Sequence, residues 1–124
     1  ALEDTGVLEA RARAGEPLVI FPEGTFRRAP GLLPFKLGAF VVAAHTGAPI
    51  IPVALAGTRS LLRCGEWLPR RCEIVVTVGA PIVASEHDWS AALELRAAAR
   101  NAILAKLAEP DAQIVAHPAA ASAA

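Results

Sequence analysis

The apolar positions of the chain fall into runs that predict short strands alternating with helices. Residues 17–21, 50–55 and 73–78 are apolar or β-branched runs of strand length, and glycine or proline follows each within two residues. Residues 35–46 are apolar nearly all round, which predicts a buried helix that ends at Gly47. Because helices alternate with strands, we expect an α/β layered domain with a mostly buried sheet.

Helix signals also stand near both ends of the chain. A first helix is expected to begin at a cap at Asp4 or Thr5 and to end at Gly15, with Glu9 and Arg13 spaced as an i,i+4 ion pair. Ser85 and Asp88 form a capping-box pattern before a last helix. The apolar side of that helix is predicted to hold Trp89, Leu93, Ala97, Leu104 and Leu107, and its solvent side Arg96, Arg100 and Lys106.

The chain therefore divides into one domain, residues 1–108, and a tail, residues 109–124. The tail is rich in alanine and proline and lacks a periodic apolar face, so we expect it to be disordered.

The composition argues against several classes of protein. Hydrophobic residues make up 54% and charged residues 19%, and the formal net charge is zero, which argues against a nucleic-acid partner. Residues 37–58 carry no charged side chain, but Pro49 and Pro52 interrupt them, so a helix, a turn and a strand fit better than a membrane span. Cys64 and Cys72 are too few for a disulfide framework or a zinc site, and no metal is expected.

Candidate chemistry is concentrated directly after the first predicted strand. There the chain reads Phe-Pro-Glu-Gly-Thr-Phe-Arg-Arg over residues 21–28. A glycine lets a ligand approach the backbone, and arginine side chains fit phosphate oxygens. The cluster predicts a site for an anionic ligand at a strand end. The alternative for Glu23 is a surface carboxylate paired with Arg27 or Arg28.

These residues resemble the third conserved block of the glycerolipid acyltransferases, the family of 1-acylglycerol-3-phosphate acyltransferase. Residues 31–40 are similar to the segment that follows this block in bacterial members, and residues 50–59 resemble the fourth block. Together the similar segments cover roughly residues 17–81. The resemblance implies transfer of a fatty acyl group from acyl-CoA or acyl-carrier protein, as a substrate and not a bound cofactor, to a lysophosphatidate-like acceptor.

The family's catalytic motif is a histidine followed, after four residues, by an aspartate. The chain has three histidines, and none has an aspartate at that spacing: the residues five positions after His45, His87 and His117 are Ile50, Ala92 and Ser122. We therefore expect the C-terminal part of the family's domain, with no catalytic residue in this chain and no activity of the chain alone. If the first strands of the sheet are absent, an apolar edge is expected to be exposed.

The resemblance also implies roles for individual side chains. Phe26 stands where the family most often has arginine, so the basic role is expected to pass to Arg27. Lys36 is a cation at the start of an apolar helix, where the helix dipole disfavours it, which hints at a ligand-facing role. The expected substrate-binding residues are Glu23, Gly24, Thr25, Arg27, Arg28 and Lys36, and the residues expected to border the pocket are Pro22, Phe26, Pro52 and Gly57.

A membrane surface is the remaining expected partner. Residues 67–71 combine a tryptophan, a leucine and two arginines, which suits a membrane interface; a packed tryptophan beside a basic turn is the alternative. The expected location is the cytoplasmic face of a membrane, peripherally or as part of a larger membrane protein. Two other functions stay open: a non-catalytic module that binds glycerophosphate or lipid, and an α/β scaffold with an inert site.

Overall fold

The computed structural model describes residues 2–25, 30–61 and 67–107. The described part contains four helices, α1 to α4, and two strands, β1 and β2. In chain order they are α1 (Leu2–Arg13), α2 (Gly38–Thr46), β1 (Val53–Ala56), α3 (Thr58–Leu61), β2 (Val75–Val78) and α4 (Trp89–Leu104). The α/β class is confirmed. The predicted tail, residues 109–124, lies outside the described residues.

Helix α1 packs against α2 and ends where the sequence predicts. Gly15 takes a left-handed φ of 78°, which closes the helix. The helix begins before the predicted caps, Asp4 and Thr5, which lie inside it. Glu9 joins the two helices: its carboxylate lies 3.8 Å from Arg13 Nη2 as predicted, and 3.1 Å from His45 Nδ1 on α2.

Helix α2 is buried along most of its length and ends at Gly47, as predicted, with φ of 71°. Its partner is α4, whose N-cap is Asp88: the carboxylate accepts a hydrogen bond from Ala91 N–H at 2.8 Å. Capping by Asp88 places the start of α4 three residues later than a cap at Ser85 would.

Small side chains form much of the contact between α2 and α4. Because alanine side chains are short, two helices that meet through them can approach closely. The rings of Phe35 and Phe40 stack with centroids 6.2 Å apart at one end of this contact. The buried cluster consists of Leu32, Phe35, Phe40, Ala43, Ala44, Ala91, Ala92, Leu95 and Ala99.

The buried face of α4 differs from the predicted one. Trp89 and Leu93, expected to face the core, are 62% and 37% exposed. The residues that α4 buries are Ala91, Ala92, Leu95, Ala99 and Arg100. The prediction holds for Leu104 and Leu107, which pack against the buried cluster, but it was wrong for Trp89 and Leu93, because it gave larger side chains priority over the alanines that the close helix contact needs.

The sheet is small, antiparallel and largely open to solvent. Val53 lies opposite Val78, and Leu55 opposite Val76. Since side chains directly opposite one another share a face, these four residues form one apolar surface, which we call the open sheet face. Their exposed fractions are 43% for Val53, 44% for Leu55, 57% for Val76 and 65% for Val78. The expectation of a mostly buried sheet does not hold for these strands.

The run of residues 17–21 is not a strand in the described part of the chain. These residues form no strand ladder with any other described residue. Val19 is 86% and Phe21 72% exposed. A strand requires a neighbour to satisfy its backbone groups, and the apolar run alone does not provide one.

Residues 37–58, which carry no charge, fold as helix α2, a turn and strand β1. Across the described ranges, no helix combines the length and apolar character that crossing a bilayer requires.

Candidate functional site

The site centres on a tight turn after the exposed run of residues 17–21. Gly24 N–H donates to Phe21 carbonyl oxygen at 3.1 Å, which closes the turn. Gly24 has φ of 68°, a left-handed conformation that side chains other than glycine rarely adopt. The turn therefore presents Glu23 and Gly24 together.

Glu23 is tied to a second segment of the loop. Its Oε2 accepts a hydrogen bond from Leu33 N–H at 2.9 Å, and the contact is partly buried. A hydrogen bond to an ionised carboxylate is stronger than one between neutral groups. The bond fixes the carboxylate relative to residues 31–35, which contribute Leu32 and Phe35 to the buried core.

Lys36 lies over the same turn. Its backbone N–H donates to Pro22 carbonyl oxygen at 2.8 Å. A methyl group added to Gly24 would lie 2.6 Å from Lys36 Nζ, so the ammonium group sits against the glycine backbone. The structure thus brings together four predicted site residues: Pro22, Glu23, Gly24 and Lys36.

The other predicted site residues of this segment are Thr25, Phe26, Arg27 and Arg28. Thr25 is exposed at the end of the turn. Phe26, Arg27 and Arg28 lie outside the described residues. The roles expected for these four side chains stay predictions.

Pro52 and Gly57 belong to the sheet end of the fold. Pro52 borders an apolar cavity of about 230 Å³ between the sheet and the C-terminal part of α4. Gly57 is not among its lining residues. At Gly57, φ is 90° and an added Cβ would clash with the carbonyl oxygen of Glu73, so glycine is required by the backbone. The cavity is lined by Pro52, Ala54, Thr77, Gly79, Ala80, Ala102, Ile103, Ala105 and Lys106.

Arg100 is the site residue that the sequence analysis missed. It was predicted to reach solvent, but it is only 6% exposed. Its Nη2 donates to Leu32 carbonyl oxygen at 2.6 Å and lies 3.4 Å from that of Leu33. No sequence signal marked its burial, because its carbonyl partners are nearly seventy residues away in sequence.

The histidines of the described part are held by structural contacts. His45 Nδ1 lies 3.1 Å from Glu9 Oε1. His87 Nδ1 lies 2.6 Å from Ala44 carbonyl oxygen and so links the start of α4 to α2. Within the described ranges, no three His, Cys, Asp or Glu side chains are grouped to hold a metal ion. His117 and Cys64 lie outside the described residues.

Residues 67–71 present their apolar side chains to solvent. Trp67 is 85% and Leu68 60% exposed, so among the described residues the tryptophan is not packed as the alternative expected. The segment is anchored at Arg70, whose backbone N–H donates to Leu61 carbonyl oxygen at 2.7 Å.

Comparison with known proteins identifies the family. The family model described as Acyltransferase matches residues 4–56, which include the whole Glu23 turn and Lys36. A 1-acyl-sn-glycerol-3-phosphate acyltransferase of Escherichia coli (strain K12) is 37% identical over 101 residues, covering 82% of this chain and 40% of its own length. The chain belongs to the acyltransferase family, of whose domain it carries a part.

Further relatives agree with this assignment. A 1-acyl-sn-glycerol-3-phosphate acyltransferase of Haemophilus influenzae is 35% identical, covering 77% of this chain and 39% of its own length. The crystal structure of the 1-acyl-sn-glycerophosphate (LPA) acyltransferase PlsC from Thermotoga maritima shares the fold, with a TM-score of 0.71 at 24% identity. The superposed region covers 82% of this chain and 42% of the PlsC chain. This chain spans about two fifths of the length of these proteins.

Proposed function

We propose that this chain supplies the acceptor-binding part of a 1-acyl-sn-glycerol-3-phosphate acyltransferase. The full enzyme transfers a fatty acyl group from acyl-CoA or acyl-carrier protein to a lysophosphatidate-like acceptor. The observation that carries the proposal is the Glu23–Gly24 turn, in which the carboxylate is fixed by Leu33 N–H and the Lys36 ammonium lies against Gly24. Proteins whose names state this activity match the chain over most of its length.

The chemistry of the turn suits a glycerol phosphate. The Lys36 ammonium, with Arg27 and Arg28 as predicted partners, attracts the phosphate oxygens. Glu23 has two carboxylate oxygens, of which Oε2 is bonded to Leu33 N–H, so Oε1 is suited to accept a hydrogen bond from a glycerol hydroxyl.

The transfer step itself needs a base from the rest of the enzyme. A histidine takes the proton of the acceptor hydroxyl, the oxygen attacks the thioester carbon, and the thiolate leaves. Holding the acceptor at the correct distance contributes several kcal/mol to a reaction of two substrates. The part played by this chain is positioning.

A chimeric enzyme tests the proposal. In the Escherichia coli relative, the matching stretch of 101 residues is replaced by this chain. We expect the chimeric enzyme to acylate lysophosphatidate, with acyl-CoA and acyl-carrier protein compared as donors, and the chain alone to show no turnover. A chimeric enzyme that folds and binds acyl donor but transfers nothing to lysophosphatidate would refute the proposed role.

A non-catalytic binding module is the second candidate, and one observation favours it. The described hydrogen bonds of Glu23 and of the Lys36 backbone are made with this chain itself, which supports anion binding at the turn without a further domain. Titrating the 124-residue chain with glycerol 3-phosphate, and with inorganic phosphate as the comparison, distinguishes the binding module from the part of an enzyme. Tight glycerol 3-phosphate binding by the chain, with an inactive chimeric enzyme, would favour the module.

We also propose that residues 67–71 touch the membrane surface on which such an enzyme meets its acceptor. The support is the exposure of Trp67 and Leu68 beside the cations Arg70 and Arg71, since apolar tips enter the interface while cations meet lipid phosphates. We expect the chain to sediment with vesicles of phosphatidylethanolamine and phosphatidylglycerol, and Trp67→Ser to reduce the bound fraction several-fold. The matched control is Val83→Ser, which changes another exposed apolar residue; equal losses in both variants would contradict a specific contact.

A further inference from the structure

Helix α4 carries a buried cation, Arg100. Arg100 lies outside residues 4–56, the range that the family model matches. It is 6% exposed, and a charge that deeply buried is stable only when its donors are hydrogen-bonded. The hydrogen-bond partners of the Arg100 guanidinium group therefore indicate which segment it stabilises.

Those contacts converge on the segment below the Glu23 turn. Arg100 Nη2 donates to Leu32 carbonyl oxygen at 2.6 Å, and its Cζ stands 5.7 Å from the centre of the Phe35 ring. The guanidinium group thus holds residues 32–35 both through a carbonyl group and through an aromatic face.

One peptide group connects Arg100 to Glu23. The Leu32 carbonyl oxygen accepts from Arg100, and the N–H of the same peptide bond, that of Leu33, donates to Glu23 Oε2 at 2.9 Å. A cation at the oxygen polarises the peptide group and makes its N–H a stronger donor, because linked hydrogen bonds reinforce one another. Arg100 and the Glu23 carboxylate therefore stabilise each other without touching.

We propose that Arg100 is a positioning residue for the acceptor site: it holds the Leu32–Leu33 peptide group, which orients the Glu23 carboxylate. The effect on catalysis rests on the proposed function. The coupling of Arg100 to Glu23 does not, because all the groups involved belong to this chain. Helix α4 then supports the turn from outside the range that the family model matches.

The coupling is tested on the 124-residue chain by NMR. We expect Arg100→Lys to move the Leu33 amide proton resonance upfield and to speed its hydrogen exchange about tenfold, as the hydrogen bond to Glu23 weakens. Glu23→Gln should have the same direction of effect, and the double variant should add little to either change. The matched control is Arg96→Lys on the same helix, which should leave the Leu33 amide unchanged.

The catalytic consequence is tested in the chimeric enzyme. We expect Arg100→Lys to raise the KM for lysophosphatidate about tenfold while the KM for acyl-CoA is unchanged, and to have little effect in a Glu23→Gln background. Independent, additive changes at the Leu33 amide would overturn the coupling. An inactive chimeric enzyme with a coupled Leu33 amide would instead count against the proposed function alone. If the Arg100→Lys chain does not fold, the Glu23→Gln chain provides the test instead. The guanidinium resonance of Arg100 is then compared between the parent chain and the Glu23→Gln chain, and an unchanged resonance would overturn the proposal.

Discussion

Glu23→Ala is expected to lower the rate of acyl transfer to lysophosphatidate by the chimeric enzyme about a hundredfold. The change removes the carboxylate that we propose accepts a hydrogen bond from the acceptor, and it leaves Leu33 N–H without its partner. Losing a hydrogen bond to a charged group costs about 1.5–3 kcal/mol, so the chain should also unfold at lower urea concentration. Steady-state kinetics and urea unfolding measure the two effects.

Glu23→Gln separates binding from stability in this prediction. Glutamine keeps an oxygen that can accept from Leu33 N–H, so the free energy of unfolding should stay close to that of the parent chain, while the loss of charge should still weaken acceptor binding. Glu16→Ala is the matched control, because the Glu16 side chain forms an exposed ion pair with Arg11, and such pairs contribute little. If Glu23→Gln retains full activity, Glu23 acts only as a structural support.

The sequence predicted those elements whose causes are local. Gly15 and Gly47 end their helices because glycine adopts the left-handed conformation, and both do so at the predicted residue. The Glu9–Arg13 pair follows from helix spacing alone. The β-branched run of residues 73–78 contains β2, since such side chains favour a pleated backbone in most contexts.

Features that depend on a distant partner could not be predicted in the same way. Residues 17–21 have the apolar character of a strand, but pairing depends on another strand, and no described residue supplies one. Arg100 looked like a solvent-facing cation because its partners are backbone carbonyls, which every residue carries and no sequence pattern marks. Its burial follows only from the way that α4 lies against the loop.

In the candidate site too, residues close in sequence could be predicted, and contacts between distant residues could not. The family motif predicted Glu23 and Gly24 from adjacent residues, and the unfavourable position of Lys36 at the start of an apolar run predicted that residue, which the fold brings against Gly24. The bond from Leu33 N–H to Glu23 was not predicted, because it joins residues ten positions apart through a loop with no regular spacing. Loop geometry of this kind is set by the core beneath it, here Leu32 and Phe35.

The open sheet face is expected to make the chain self-associate unless the rest of an acyltransferase domain covers it. Its four side chains, Val53, Leu55, Val76 and Val78, remain 43–65% exposed, and covering what is exposed is worth about 1 kcal/mol for each. Replacing the opposed pair by charges, Leu55→Lys with Val76→Glu, keeps a favourable cross-strand contact. We expect this double variant to weaken self-association by about a hundredfold, measured by sedimentation velocity.

The same substitutions should have the opposite consequence in the chimeric enzyme. There the rest of the domain is expected to cover the open sheet face, so the introduced lysine and glutamate side chains would be buried, at a cost that lowers stability and activity. Val83→Lys is the control, since Val83 is 60% exposed and lies outside the open sheet face; it should change neither property. A chain that is monomeric before substitution, or a chimeric enzyme that tolerates both charges, would contradict the expectation.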